Sequence, residues 1–84
     1  MDNDQKRLYW QSRRGMLELD LVLTPFAANA FADLADEDKA RYESLLDCED
    51  QDLFVWLMGR EEPSNPDLKR IVELIREYAR ANKP

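Results

Sequence analysis

Residues 16–32 read MLELDLVLTPFAANAFA, and whether this stretch is strand or helix decides the fold class. Leu17, Leu19, Leu21 and Leu23 alternate with Glu18, Asp20 and Val22, close to the period-two pattern of a half-buried strand. Leu19, Val22, Leu23 and Phe26 also form a stripe at helical spacing, and Ala27, Ala28, Ala30 and Ala32 favour helix. The chain offers no second strand-like segment to pair with, and an isolated strand is not stable. Helix is therefore the expectation for Met16 to Ala32. Pro25 must either kink that helix or restart it with Thr24 as N-cap.

Working outward, the neighbouring segments also read as helices. On the N-terminal side, Asn3 or Asp4 can cap a helix running to about Arg13, with Leu8 as its main apolar residue. Arg13 and Arg14 complement the dipole of its last turn, and Gly15 follows as the natural C′ residue. On the C-terminal side a third segment starts near Asp36, with anions in its first turn and Tyr42, Leu45 and Leu46 inside. A fourth is capped by Asp50. Its Leu53, Phe54, Trp56, Leu57 and Met58 leave it apolar nearly all round, which predicts central burial, and Gly59 ends it. The last segment has Asn65 as cap and Pro66 at the first helical position. Leu68, Ile71, Val72, Ile75, Tyr78 and Ala79 form its apolar face, and Glu73–Arg76 and Glu77–Arg80 its outer pairs. The expected architecture is all-α, a single domain over residues 1–84 built as a small bundle of about five short helices.

Composition narrows the function. The chain has 84 residues, no histidine and one cysteine. That excludes an intrachain disulfide, multi-cysteine metal sites and imidazole-based catalysis. The expectation is a protein that is not an enzyme. Leu, Ile, Val and Phe total 20 of 84, enough for a folded chain. The longest apolar stretches are far short of the ~20 residues that span a membrane, and MDNDQKRLYW lacks a signal peptide's apolar segment. A cytoplasmic monomer without membrane insertion is expected. Net charge is −6, distributed as +2 over residues 1–14, −10 over 15–62 and +2 over 63–84. The acidic middle repels phosphate backbones, so no nucleic-acid partner is expected. It reads as a solvated surface or as steering toward a basic partner.

Few residues stand out as chemistry. Cys48 lies in Asp47-Cys48-Glu49-Asp50, where carboxylates disfavour a thiolate, so it reads as structural or incidental. The Asp36–Asp38 and Asp47–Asp52 runs lack a calcium-loop pattern and read as helix-start anions, with no metal implied. Trp56 with Phe54 reads as core packing rather than a ligand pocket. Trp10 and Tyr9 lie beside basic residues and suit an interface. In Arg13-Arg14-Gly15-Met16-Leu17-Glu18 every residue satisfies a local capping rule, which is one complete account of it. The other is that Gly15 bares backbone at the surface, flanked by the opposite charges of Arg14 and Glu18, for contact with another protein.

Arg14-Gly15-Met16-Leu17-Glu18 resembles the R-G-x-x-E signature of the succinate dehydrogenase FAD assembly factors. Trp10 precedes it and Leu19-Asp20 follows it as in bacterial members, with Pro25-Phe26 at the family spacing. Leu45-Leu46, Cys48, Asp50, Asp52-Leu53-Phe54 and Trp56-Leu57-Met58 look like the family's second characteristic stretch. The resemblance covers residues 5 to about 78. Gln51 departs from a common proline and Ala35 from a common serine cap; both concern helix starts and leave the signature untouched.

The resemblance implies a partner-binding role. Family members bind the flavoprotein subunit of succinate dehydrogenase, and in bacteria that of fumarate reductase. They promote covalent linkage of FAD to a histidine of that subunit, with no cofactor held by the factor itself. Carried over, Gly15 would allow close backbone approach, and Arg14 would pair with a carboxylate or polarise the flavin region. Glu18 would fix a basic partner residue, and Arg13, Asp20 and Trp10 would extend the patch. Two other functions compete. One is an antitoxin-like partner of an inner-membrane protein. The other is a FAD carrier, which the lack of a Gly-rich loop after a strand disfavours.

Overall fold

The computed structural model describes residues 16–82. The stretch that opened the question is helix: α1 spans Leu17–Asn29. A 3₁₀ turn at Phe31–Asp33 leads to α2 (Asp36–Leu46), then α3 (Asp50–Leu57) and α4 (Pro66–Ala81). The described residues thus contain four helices and no strand, a small all-α fold. The helix expected over Asn3 to Arg13 lies outside the described residues.

Why α1 survives its proline follows from where Pro25 sits. The helix is continuous through it, so Thr24 does not act as the N-cap of a restarted helix. Proline removes the amide that would bond the Leu21 carbonyl. Leu21 is 66% exposed, so water can serve that carbonyl instead. The helix stops at Asn29, three residues before Ala32, because the chain tightens into the 3₁₀ turn that buries Phe31.

The ends of α3 and α4 are built by local rules. Asn65 Oδ1 accepts from the amides of Asp67 (2.8 Å) and Leu68 (3.3 Å), with Pro66 at the first helical position as expected. At the C-terminus of α3, Arg60 N donates to Val55 O at 2.9 Å and Gly59 N to Trp56 O at 3.1 Å. That is a Schellman motif, with Gly59 at φ 77° as its left-handed residue. At the start of α3, by contrast, the N-cap is Glu49 with no side-chain cap bond, and Asp50 is already helical. Asp50 therefore does not take the capping position expected of it.

The core is where the helices converge. Leu19, Leu23 and Phe26 of α1, Tyr42 and Leu45 of α2, Leu53 of α3, and Ile71, Val72 and Ile75 of α4 are at most 1% exposed. The α4 helix packs against the other three. Aromatic contacts tie the centre: Phe26 lies 5.4 Å from Tyr42 and meets Tyr78 edge-on at 5.6 Å, and Phe31 lies 5.5 Å from Tyr42. Two expectations are corrected here. The α3 helix is not centrally buried: only Leu53 and Leu57 are inside, Phe54 and Trp56 are half-buried, and Met58 is 39% exposed. An eight-residue helix at the edge of a four-helix core has only one face to bury. Arg76 pairs with Glu62 of the α3–α4 loop, at 2.9 Å, rather than with Glu73.

Candidate functional site

The signature-bearing end of α1 begins at Met16, the N-cap, in extended conformation (φ −106°, ψ 119°). Methionine has no side-chain oxygen to cap with, so the Met16 carbonyl alone closes the first turn. It accepts from the amides of Leu19 and Asp20, both at 3.1 Å. Glu18 and Asp20 fall in this first turn, at the positive end of the helix dipole. Glu18 is exposed and Asp20 is half-buried. The other expected site residues, Trp10, Arg13, Arg14 and Gly15, lie outside the described residues. Of the six, the structure thus places Glu18 and Asp20.

What the sequence reading missed is the surface that continues from Glu18. Leu17 and Leu21 are 67% and 66% exposed, one turn apart on the outer face of α1. Beside Leu21 a recess of about 320 Å³ opens between α1 and α4, lined by Leu21, Val22, Pro25, Asn29, Tyr78, Ala79 and Asn82. No cation lines it. A second recess of about 230 Å³ shares Val22 and Ala79 with the first and is bounded by Leu57, Met58, Arg76 and Arg80. The signal available in the sequence was the leucine alternation of residues 17–23.

The other charged cluster is structural. Asp38 was expected only as a first-turn anion, but it is 7% exposed and accepts from Arg41 Nη1 at 2.8 Å, with Arg70 Nε at 3.5 Å. Arg41 Nε also donates to Asp67 at 2.9 Å, joining α2 to α4. Hydrogen bonds to Asp67, then Asp38, raise the Arg41 guanidinium above its ordinary pKa. The shallow polar recess lined by Glu37, Ala40, Arg41, Ser44 and Asp67 thus has its cation already committed. Cys48 is half-buried against the core, its thiol 3.8 Å from the Ser44 carbonyl. None of the described helices is long and apolar enough to cross a membrane.

Comparison with known proteins places this geometry among relatives. The family model described as the flavinator of succinate dehydrogenase matches residues 6–79. A FAD assembly factor of Pseudomonas aeruginosa is 54% identical over 74 residues, 88% of each chain. The corresponding factor of Yersinia pseudotuberculosis is 41% identical, covering 100% of this chain and 97% of that one. The solution structure of a UPF0350 protein, 36% identical, superposes with a TM-score of 0.75 over 96% of this chain and 87% of that chain.

Proposed function

The chain belongs to the family of succinate dehydrogenase flavinators, and from that premise we propose that it binds the flavoprotein subunit of succinate dehydrogenase and promotes attachment of FAD to a histidine of that subunit. The observation that carries this reading is the intact Arg14-Gly15-Met16-Leu17-Glu18 signature, whose Glu18 stands exposed at the start of α1. The chain has no histidine, so the reacting imidazole is the client's. The factor's contribution is to hold the client in a competent arrangement, which is orientation and electrostatic preorganisation supplied in trans. Gly15 lets the client approach the backbone closely. Arg14 pairs with a client carboxylate or polarises the flavin region, and Glu18 fixes a basic client residue. Arg13, Asp20 and Trp10 extend the contact.

The same reading makes the factor a cytoplasmic monomer that holds no FAD of its own, with the fumarate reductase flavoprotein as a second client. Two features favour an assembly role over FAD carriage. Among the described residues no cation lines the recess between α1 and α4 to meet a pyrophosphate, and no strand is present from which a phosphate loop could spring.

The test is co-expression of each flavoprotein subunit with wild-type or variant factor, followed by flavin fluorescence of the denatured subunit in a gel. Gly15→Arg and Glu18→Gln should each lower covalent flavin, with the exposed Glu18→Gln variant melting near wild type. Covalent flavin at the wild-type level with both variants would sink the assignment. Pull-down of an inner-membrane protein in place of either flavoprotein would favour the antitoxin-like role.

A further inference from the structure

The proposed signature contact ends at Asp20, but the features that suit a partner do not. Leu17 and Leu21 are two-thirds exposed, stacked one turn apart on the outer face of α1. Glu18 lies three residues before Leu21 and Pro25 four residues after it, so all three share one side of the helix. Leu21 also forms a wall of the 320 Å³ recess, with Val22, Pro25, Tyr78 and Ala79 around it. Tyr78 is held edge-on by Phe26, so that wall is rigidly backed by the core. An apolar ridge beside a firm, mainly apolar recess edged by Asn29 and Asn82 is an arrangement that accepts a single anchoring side chain.

Charge selects the occupant. Helix α1 carries Glu18 and Asp20 and no cation at all. A second copy of this chain would set acidic face against acidic face. An anionic lipid surface meets the same carboxylates at the start of α1, Arg76 and Arg80 lying on the adjoining recess rather than on this helix. A protein surface bearing a Lys or Arg next to an apolar side chain fits both the exposed Glu18 and the recess.

We propose that the outer face of α1, from Glu18 through Leu17 and Leu21 to the recess beside Tyr78, is the docking surface for the flavoprotein client. An apolar client side chain enters the recess, and a client Lys or Arg meets Glu18. This rests on the assembly-factor reading above and extends its contact along the helix.

The experiment titrates purified flavoprotein subunit with the full chain by calorimetry. Leu21→Asp should weaken binding at least tenfold, and Leu17→Asp in the same direction. Leu21→Met, which keeps the apolar bulk, should bind within about twofold of wild type, as expected for an apolar contact of similar volume. A photo-crosslinking residue at position 21 should yield an adduct with the flavoprotein. Because position 21 is exposed, the melting temperature of each variant should match wild type, which separates docking from folding. Unchanged affinity for Leu21→Asp and Leu17→Asp, or an adduct only to a second copy of the chain, overturns the inference. Gly15→Arg is the reference: if it abolishes binding while the leucine variants do not, only the extended surface falls. If Gly15→Arg also leaves binding intact, the assembly-factor reading falls with it.

Discussion

Replacing Gly59 by alanine isolates one local device with two separable parts. Gly59 is the left-handed residue of the Schellman motif that ends α3, at φ 77°. An L-residue in that conformation costs about 1–2 kcal/mol. The added Cβ would also stand 3.1 Å from Arg76 Nη2 and 3.5 Å from Cζ. The guanidinium must give by a few tenths of an ångström, at most at the expense of the 2.9 Å bond that its Nη1 donates to Glu62. That pair is partly exposed, so its loss adds about 0–1 kcal/mol. The sum is about 1–3 kcal/mol, which for a domain of this size lowers the melting temperature by about 5 to 20 °C. Thermal unfolding followed by far-ultraviolet circular dichroism measures it. A double-mutant cycle with Arg76→Ala divides the two parts, because the steric share vanishes in that background and the conformational share does not. Gly59→Asn should cost less than Gly59→Ala, since asparagine tolerates left-handed backbone better. A Gly59→Ala protein melting within about 2 °C of wild type would refute the conformational argument, whatever Arg76 does.

Two further substitutions test the helices on either side of the client surface. Asn65→Ala removes the acceptor of two amides at the start of α4 and should cost about 1 kcal/mol, whereas Asn65→Asp keeps the cap and should be near neutral; equal loss in both would remove capping as the cause. Phe26→Ala deletes a ring that is 1% exposed and sits against Tyr42 and Tyr78, at a cost of about 3–5 kcal/mol in urea unfolding. A loss under about 1 kcal/mol would mean the aromatic cluster does not hold α1 to α2 and α4.

Helix type and most of the core were legible because the sequence stated them redundantly. In α4 the cap, the proline and the apolar spacing all agree, and Ile71, Val72 and Ile75 are indeed fully buried. The inner faces of α1 and α2 were legible from spacing alone. What escaped the reading depends on distant partners. Asp38 is buried because Arg41 and Arg70 converge on it from α2 and α4. Arg76 prefers a loop glutamate fourteen residues earlier to its helical neighbour. The all-round apolar pattern of α3 suggested a central helix, yet only the assembled bundle reveals that one face is enough. At the candidate site, Glu18 could be singled out from its place in a short signature. The recess beside it could not, since Tyr78 and Ala79 reach it from the far end of the chain.

The leucine alternation that made residues 17–23 ambiguous has a physical origin. A helix required only to cover this core would need Leu19, Leu23 and Phe26 inside and polar residues outside. Here Leu17 and Leu21 occupy the outer face, so apolar residues recur at both helical and strand-like spacing. These two leucines contribute little to the core of the described residues, and exposed leucines at i and i+4 lower solubility rather than raise stability. Among the described residues the fold gives no reason for them, and neither does the capping of α1, which Met16 performs with its backbone. A partner that covers them supplies the reason. The prediction that follows is opposite in sign for stability and for binding. Leu17→Gln with Leu21→Gln should leave the melting temperature unchanged and improve solubility of the isolated chain, while lowering covalent flavin in the co-expressed client. If the paired substitution instead destabilises the isolated protein, the two leucines belong to the fold after all, and the outer face of α1 is not a docking surface.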